Sequence, residues 1–125
     1  MIVGIGVDIV DIRRLRQALA RQGERFIRRI YTPAEQEFCT RHHDPAPFYA
    51  ARFAAKEALF KALGTGWSGG IRWQDAEVRR DEGEAPRLVL RGKAEEFSKS
   101  LGVRFTHLSI SHSNDSAVAI VILEK

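Results

Sequence analysis

Apolar residues fill most of the first ten positions, MIVGIGVDIV, on both sides of what reads as a strand, and Gly4 and Gly6 mark places where the backbone comes close to another element. The period then turns helical. Asp11 supplies an N-cap, Ile12, Leu15 and Leu19 recur on one face with arginines between them, and Gly23 is the stop. Thr32, Pro33 and Glu35 open a third element as a capping box, and it carries Phe38. After Asp44, Pro45 and Pro47 a helix runs to about Leu63 and ends in Gly64, Thr65 and Gly66.

The second half changes character. Residues 71–80 and 87–91 alternate loosely around a Glu-Gly-Glu-Ala-Pro turn, which predicts a hairpin. Residues 93–101 read as a short helix stopped by Gly102, and residues 105–113 and 117–123 as two strands joined through Asn114 and Asp115. No repeat or linker divides the chain. The expected fold is α+β: one domain over residues 1–125, with an antiparallel sheet carrying its helices on one face.

Composition narrows the class. With 125 residues, 44% hydrophobic and 29% charged, the chain is neither disordered nor fibrous, and it is long enough to bury roughly two thirds of its unfolded surface without staples. Cys39 alone rules out an intrachain disulfide and fits a reducing cytosol, so a cytoplasmic location is expected. The apolar run from Ser116 to Leu123 falls far short of the ~20 residues of a membrane helix. Asp8 and Asp11 interrupt the N-terminal stretch, which has no small-residue cleavage pattern.

The net charge is +4, but it is not spread evenly. Seven arginines lie between Arg13 and Arg29 against Glu24 alone, an excess larger than that of the whole chain. The remainder is therefore slightly acidic, and the basicity is a patch that asks for an acidic partner.

Three segments carry candidate chemistry. In GIGVDIVDI, Asp8 sits where burial is otherwise wanted, so its carboxylate needs a partner, a hydrogen bond or a metal, unless it merely caps the next helix. In RFAAKEALFKALGTG, Glu57 and Lys61 lie about 40° apart on one helix edge, between Phe53 and Phe60 on one side and Ala54, Ala58 and Ala62 on the other. Exposed pairs do not usually sit between two apolar stripes. Asp8 and Glu57 together suit the protein share of a Mg²⁺ site completed by water and phosphate oxygens, with Lys61 placed for a departing phosphate oxygen, and Arg52 and Lys56 add positive charge to the same helix. In LSISHSNDSAVAIVILE, His112 stands at a strand end among Ser109, Ser111 and Ser113, whose hydroxyls and backbone donors suit a phosphate or an adenine edge. The commoner role for a lone histidine is structural.

Taken in this order, Asp8, Glu57 with Lys61, and His112 resemble the holo-[acyl-carrier-protein] synthases, the small bacterial type of 4′-phosphopantetheinyl transferase. The likeness runs from Ile2 to the last strand, with Phe60 standing where relatives often carry a smaller side chain. It implies transfer of the 4′-phosphopantetheine arm of coenzyme A to a serine of apo acyl carrier protein, for fatty acid biosynthesis, with release of adenosine 3′,5′-bisphosphate. On that resemblance Asp8 and Glu57 hold Mg²⁺, and Lys61 meets the pyrophosphate. Arg52 and His112 lie near the 3′-phosphate and adenine, and Gly64, Ser111 and Ser113 also line the coenzyme. Either Glu57 or a Mg²⁺-held water takes the serine proton. Arg14, Arg21, Arg25 and Phe26 dock the acidic carrier protein, and the assembly is a homotrimer with sites at subunit boundaries. Neither nucleic acid nor membrane is an expected partner. Two rivals remain: a nucleic-acid-binding module, which leaves the Glu57 seam unexplained, and a Mg²⁺-dependent nuclease, which leaves the confined patch unexplained.

Overall fold

In the computed structural model, which describes residues 1–65 and 68–125, the first strand β1 (Ile2–Asp11) runs straight into helix α1 (Ile12–Gln22). Asp11 makes that junction. Its Oδ1 accepts hydrogen bonds from the backbone N–H groups of Arg13 and Arg14, which satisfies two of the donors a helix start leaves open. Helix α2 (Glu24–Ile30) follows immediately, then α3 (Pro33–Thr40), opened by the expected capping box between Thr32 and Glu35.

Helix α4 (Ala46–Leu63) is the centre of the molecule. Its alanines at 54, 58 and 62 are buried, and they let it lie almost backbone to backbone on β1. A Cβ built at Gly6 would collide with the Ala58 carbonyl oxygen, and one at Gly4 with that of Ala62. The two glycines of the first strand are thus required by the helix above them. Gly64 closes α4 in the left-handed region at φ 78°, donating its N–H to the carbonyls of Phe60 and Lys61. The Gly66 expected to share that ending lies outside the described residues.

Strands β2 (Ala76–Arg79) and β3 (Arg87–Leu90) form the hairpin, α5 (Gly92–Ser100) crosses back, and β4 (Phe105–His112) and β5 (Ser116–Glu124) complete a three-stranded antiparallel sheet in the order β1-β5-β4. The first hairpin strand is shorter than expected from residues 71–80. Trp73–Asp75 forms a 3-10 turn in which the Asp75 carboxylate accepts from the Arg72 N–H at 3.0 Å, and pairing starts only at Ala76.

Register sets the two faces of the sheet. Gly6 pairs with Val121 and Asp8 with Ala119, and this parity looks toward α4. Ile5, Val7 and Ile9 pair with Ile122, Ile120 and Val118 and look away from it. At 60%, 53% and 69% exposure, these three side chains leave the outer face of β1 uncovered. On its far side α4 supports a second core of α1, α2 and α3, where Ile12, Leu15, Ile30, Tyr31 and Cys39 are buried.

Candidate active site

Asp8 lies two residues beyond Gly6 on the strand face that meets α4, and Lys61 reaches back toward the helix N-terminus to it. The Lys61 Nζ is 3.0 Å from Asp8 Oδ1 and donates to the Val7 carbonyl oxygen at 3.1 Å. Glu57, one turn earlier on α4, is half-buried. Burial raises its carboxyl above the ordinary carboxylate range, the Asp8 charge raises it further, and Lys61 works against both.

Asp8 and Glu57 line one cleft of about 590 Å³ between β1, α1 and α4. Its other wall carries Arg14, Leu15, Phe26 and Phe53, with the Phe26 and Phe53 rings stacked at 6.3 Å between centroids. Arg14 and Phe26, expected to touch a partner, therefore share a cavity with the two carboxylates, while Arg21 and Arg25 stand exposed on the adjoining helices. Phe53 and Leu15 complete this wall. Phe53 was visible in the sequence only as a flank of the Glu57 seam.

The donor set fits a hard dication. Two carboxylates close enough for one to raise the other make a site that positive charge relieves, and the Lys61 ammonium already supplies such charge at Asp8. Among the described residues no group of three or more His, Cys, Asp or Glu is placed to hold a metal. Asp8 and Glu57 are two carboxylates that could hold such an ion, with oxygens of water and substrate left to complete the shell.

Arg52 and His112 gather elsewhere, around Phe48. The His112 ring meets Phe48 edge-on at 5.4 Å, His42 stacks on the same ring at 3.5 Å, and the Arg52 guanidinium lies 4.0 Å above Phe38. Arg52 is 2% exposed, and among the described residues its Nε has no hydrogen-bond partner. Burial holds its guanidinium below the ordinary range, and the like charge of Arg80 contributes in the same direction. It lines a small basic pocket with Arg41, Arg79 and Arg80, tempered by Glu37 and Asp81. Arg79 and Arg80 come from the hairpin, which sequence order does not connect to α4.

The other expected residues divide. Ser111 and His112 are neighbours on a strand and so face opposite sides, Ser111 pairing with Val118 on the uncovered face. Ser113 Oγ accepts from the N–H groups of Asp115 and Ser116 and braces the β4–β5 turn. Gly64 is exposed at the end of α4. Lys56 is no surface cation: it is fully buried, 2.8 Å from Glu35 Oε1, and donates to the carbonyls of Trp73 and Ala76. Phe60 is buried against Trp73 at 5.7 Å between centroids.

Residues 4–121 match the sequence model of the 4′-phosphopantetheinyl transferase superfamily. A holo-[acyl-carrier-protein] synthase of Koribacter versatilis (strain Ellin345) is 51% identical over 124 residues, covering 99% of each chain. The crystal structure of such a synthase from Neisseria meningitidis superposes with a TM-score of 0.90 at 35% identity over the whole of both chains. One from Bacillus anthracis str. Ames, in complex with CoA (3′,5′-ADP), gives a TM-score of 0.80 at 38% identity, covering 98% of this chain and 96% of that one.

Proposed function

The chain belongs to the 4′-phosphopantetheinyl transferase superfamily, among the holo-[acyl-carrier-protein] synthases, and from that premise we propose that it moves the 4′-phosphopantetheine arm of coenzyme A onto a serine of apo acyl carrier protein. The observation that carries this reading is the single cleft holding Asp8 and Glu57 beside Arg14 and Phe26. Reaction centre and docking surface are contiguous.

In the reaction the serine Oγ attacks the phosphorus that bears the pantetheine arm, the pyrophosphate P–O bond breaks, and adenosine 3′,5′-bisphosphate leaves. Asp8 and Glu57 would hold Mg²⁺, which would supply positive charge to neutralise the pyrophosphate. Lys61 shifts its ammonium from Asp8 toward the leaving oxygen, where it stabilises the charge that develops as the bond breaks. Glu57, or a water that it orients, accepts the serine proton. Arg52 and His112 take the 3′-phosphate and adenine end of the coenzyme, a role supported by the orphaned Arg52 Nε and by the arginines around it. Gly64 and Ser111 complete the coenzyme contacts, and Arg21 and Arg25 extend the docking surface beyond Arg14.

The working assembly is a homotrimer with its sites at subunit boundaries. Two observations support it: the outer face of β1 carries Ile5, Val7 and Ile9 uncovered, and the Arg52–His112 cluster does not share the Asp8–Glu57 cleft of its own chain. The reaction belongs in the cytoplasm and serves fatty acid synthesis. No helix among the described residues is long and apolar enough to cross a membrane. Mass spectrometry of apo acyl carrier protein incubated with the chain, coenzyme A and Mg²⁺ tests the activity. The expected result is a gain of one phosphopantetheine, and an unchanged carrier mass overturns the reading.

A further inference from the structure

Lys56 lies one turn after Arg52 on α4 and has no exposed surface. Its ammonium is 2.8 Å from Glu35 Oε1 on α3 and donates to the carbonyls of Trp73 and Ala76, where the chain enters β2. The other oxygen of Glu35 accepts the Val78 N–H at 2.8 Å. A second buried link runs beside this one. Thr32 Oγ1 donates to Glu77 Oε2 at 2.5 Å, and Glu77 Oε1 faces the guanidinium groups of Arg91 at 3.1 Å and Arg79 at 3.4 Å. Helix α4, helix α3 with its cap, and the β2–β3 hairpin are thus joined at one enclosed point.

The same three elements wall the basic pocket that Arg52 lines. Arg41 comes from α3, Arg52 from α4, and Val78, Arg79 and Arg80 from the hairpin. Guanidinium groups gathered in this way repel one another, so their elements have to be held together from behind. The two links do so at residues that belong to the pocket or adjoin it: Val78 gives its N–H to Glu35, and Arg79 meets Glu77. A buried ion pair is a poor source of net stability, since apolar side chains of the same volume commonly serve as well. What it supplies here is direction, because its bonds end on particular main-chain atoms of the hairpin.

We propose that Lys56 and Glu35, with Thr32 and Glu77 beside them, are positioning residues for the coenzyme, a clamp that sets the hairpin arginines against Arg52 at the spacing a phosphate monoester needs; this rests on the assignment of the Arg52 pocket to the 3′-phosphate given above. The clamp touches no substrate. It acts through Arg52, Arg79 and Arg80, and so on recognition of the nucleotide end, not on the chemistry at Asp8 and Glu57.

The test compares kcat/KM for coenzyme A with kcat/KM for 3′-dephospho-coenzyme A, at saturating apo acyl carrier protein and Mg²⁺. The chains are the wild type, Lys56→Met, the milder Thr32→Val, and Leu123→Ala, a core truncation in the sheet where Leu123 pairs with Gly4 and Thr106. The wild type is expected to prefer the phosphorylated coenzyme about a hundredfold, Lys56→Met to cut that preference about tenfold and Thr32→Val about threefold, each through the KM for coenzyme A. Leu123→Ala lowers stability and leaves the preference unchanged. Circular dichroism melts establish which chains are folded at the assay temperature, and if Lys56→Met is not, Thr32→Val decides. Loss of folded chain lowers turnover of both coenzymes alike, so the ratio separates positioning from a merely structural role. A wild-type preference that persists in the folded variants, or that falls equally in Leu123→Ala, overturns the clamp and leaves the proposed function standing. A wild-type chain that uses both coenzymes alike removes the 3′-phosphate from the Arg52 pocket and overturns the clamp with it, while one that transfers nothing overturns the proposed function as well.

Discussion

The Lys61 ammonium lies 3.0 Å from Oδ1 of Asp8, the carboxylate that shares a cleft with Glu57. A lysine so placed neutralises the carboxylate pair in the resting chain and has to give up that contact to serve the substrate. Lys61→Met is therefore expected to lower kcat about a hundredfold while changing the KM for coenzyme A much less. An equal fall in coenzyme affinity with kcat unchanged would make Lys61 a binding residue only.

Asp8→Asn and Glu57→Gln keep side-chain volume but remove charge and metal affinity. Each is expected to lower kcat by about a hundredfold or more, with the melting curve nearly unchanged. Parent-level turnover in both at saturating Mg²⁺ removes the metal site.

Glu57 gives a pH signature of definite sign. Its carboxyl is raised by burial and by Asp8, so the folded chain holds a proton there that the unfolded chain has already lost. The stability this contributes is complete below the unfolded value and disappears as pH rises through the folded one. Carbon-detected titration of Glu57 should show a value above the ordinary one, lowered by Asp8→Asn and raised by Lys61→Met. Movement in the opposite directions contradicts the electrostatics of the site.

Light scattering should give three chains per particle, and Val7→Glu together with Ile9→Asp on the uncovered face should give monomers without transfer activity. A fully active monomer of the parent chain refutes both the trimer and the shared site.

Lys56 is fully buried with Glu35, and removing one partner of such a pair strands the other charge. Lys56→Met is expected to cost about 3–5 kcal/mol in chemical denaturation. A loss below about 1 kcal/mol would show that Glu35 is neutralised without the lysine.

Several elements were legible because the sequence signals them locally. Asp11, Gly23, the Thr32–Glu35 box and the Asn114–Asp115 turn between β4 and β5 each act within a few residues, and Gly4 and Gly6 announced the close approach of α4. Helix α2 was not foreseen, since ERFIRRI is too short to display a period. The 3-10 turn at Trp73 was missed because its determinant is one Asp75 carboxylate, not a pattern. On α4, Glu57, Lys61 and Asp8 were read as a group and are found together, whereas Lys56 was read as an available charge and is enclosed. A helix buried on most sides gives no polar stripe from which to tell an open charge from a closed one.

The contact between β1 and α4 has a consequence for change over time. Because Gly4 and Gly6 rest on the carbonyls of Ala62 and Ala58, main chain meets main chain there and the small alanines of α4 keep the spacing of strand and helix close. Side chains elsewhere in the core are free to exchange volume, as sequences drift, without altering the gap across which Asp8 faces Glu57 and Lys61. Adding one methyl group at either glycine would push the two elements apart at that gap. Asp8 and Glu57 are thus insulated from most of the core's variation and exposed to two positions that bear no side chain at all.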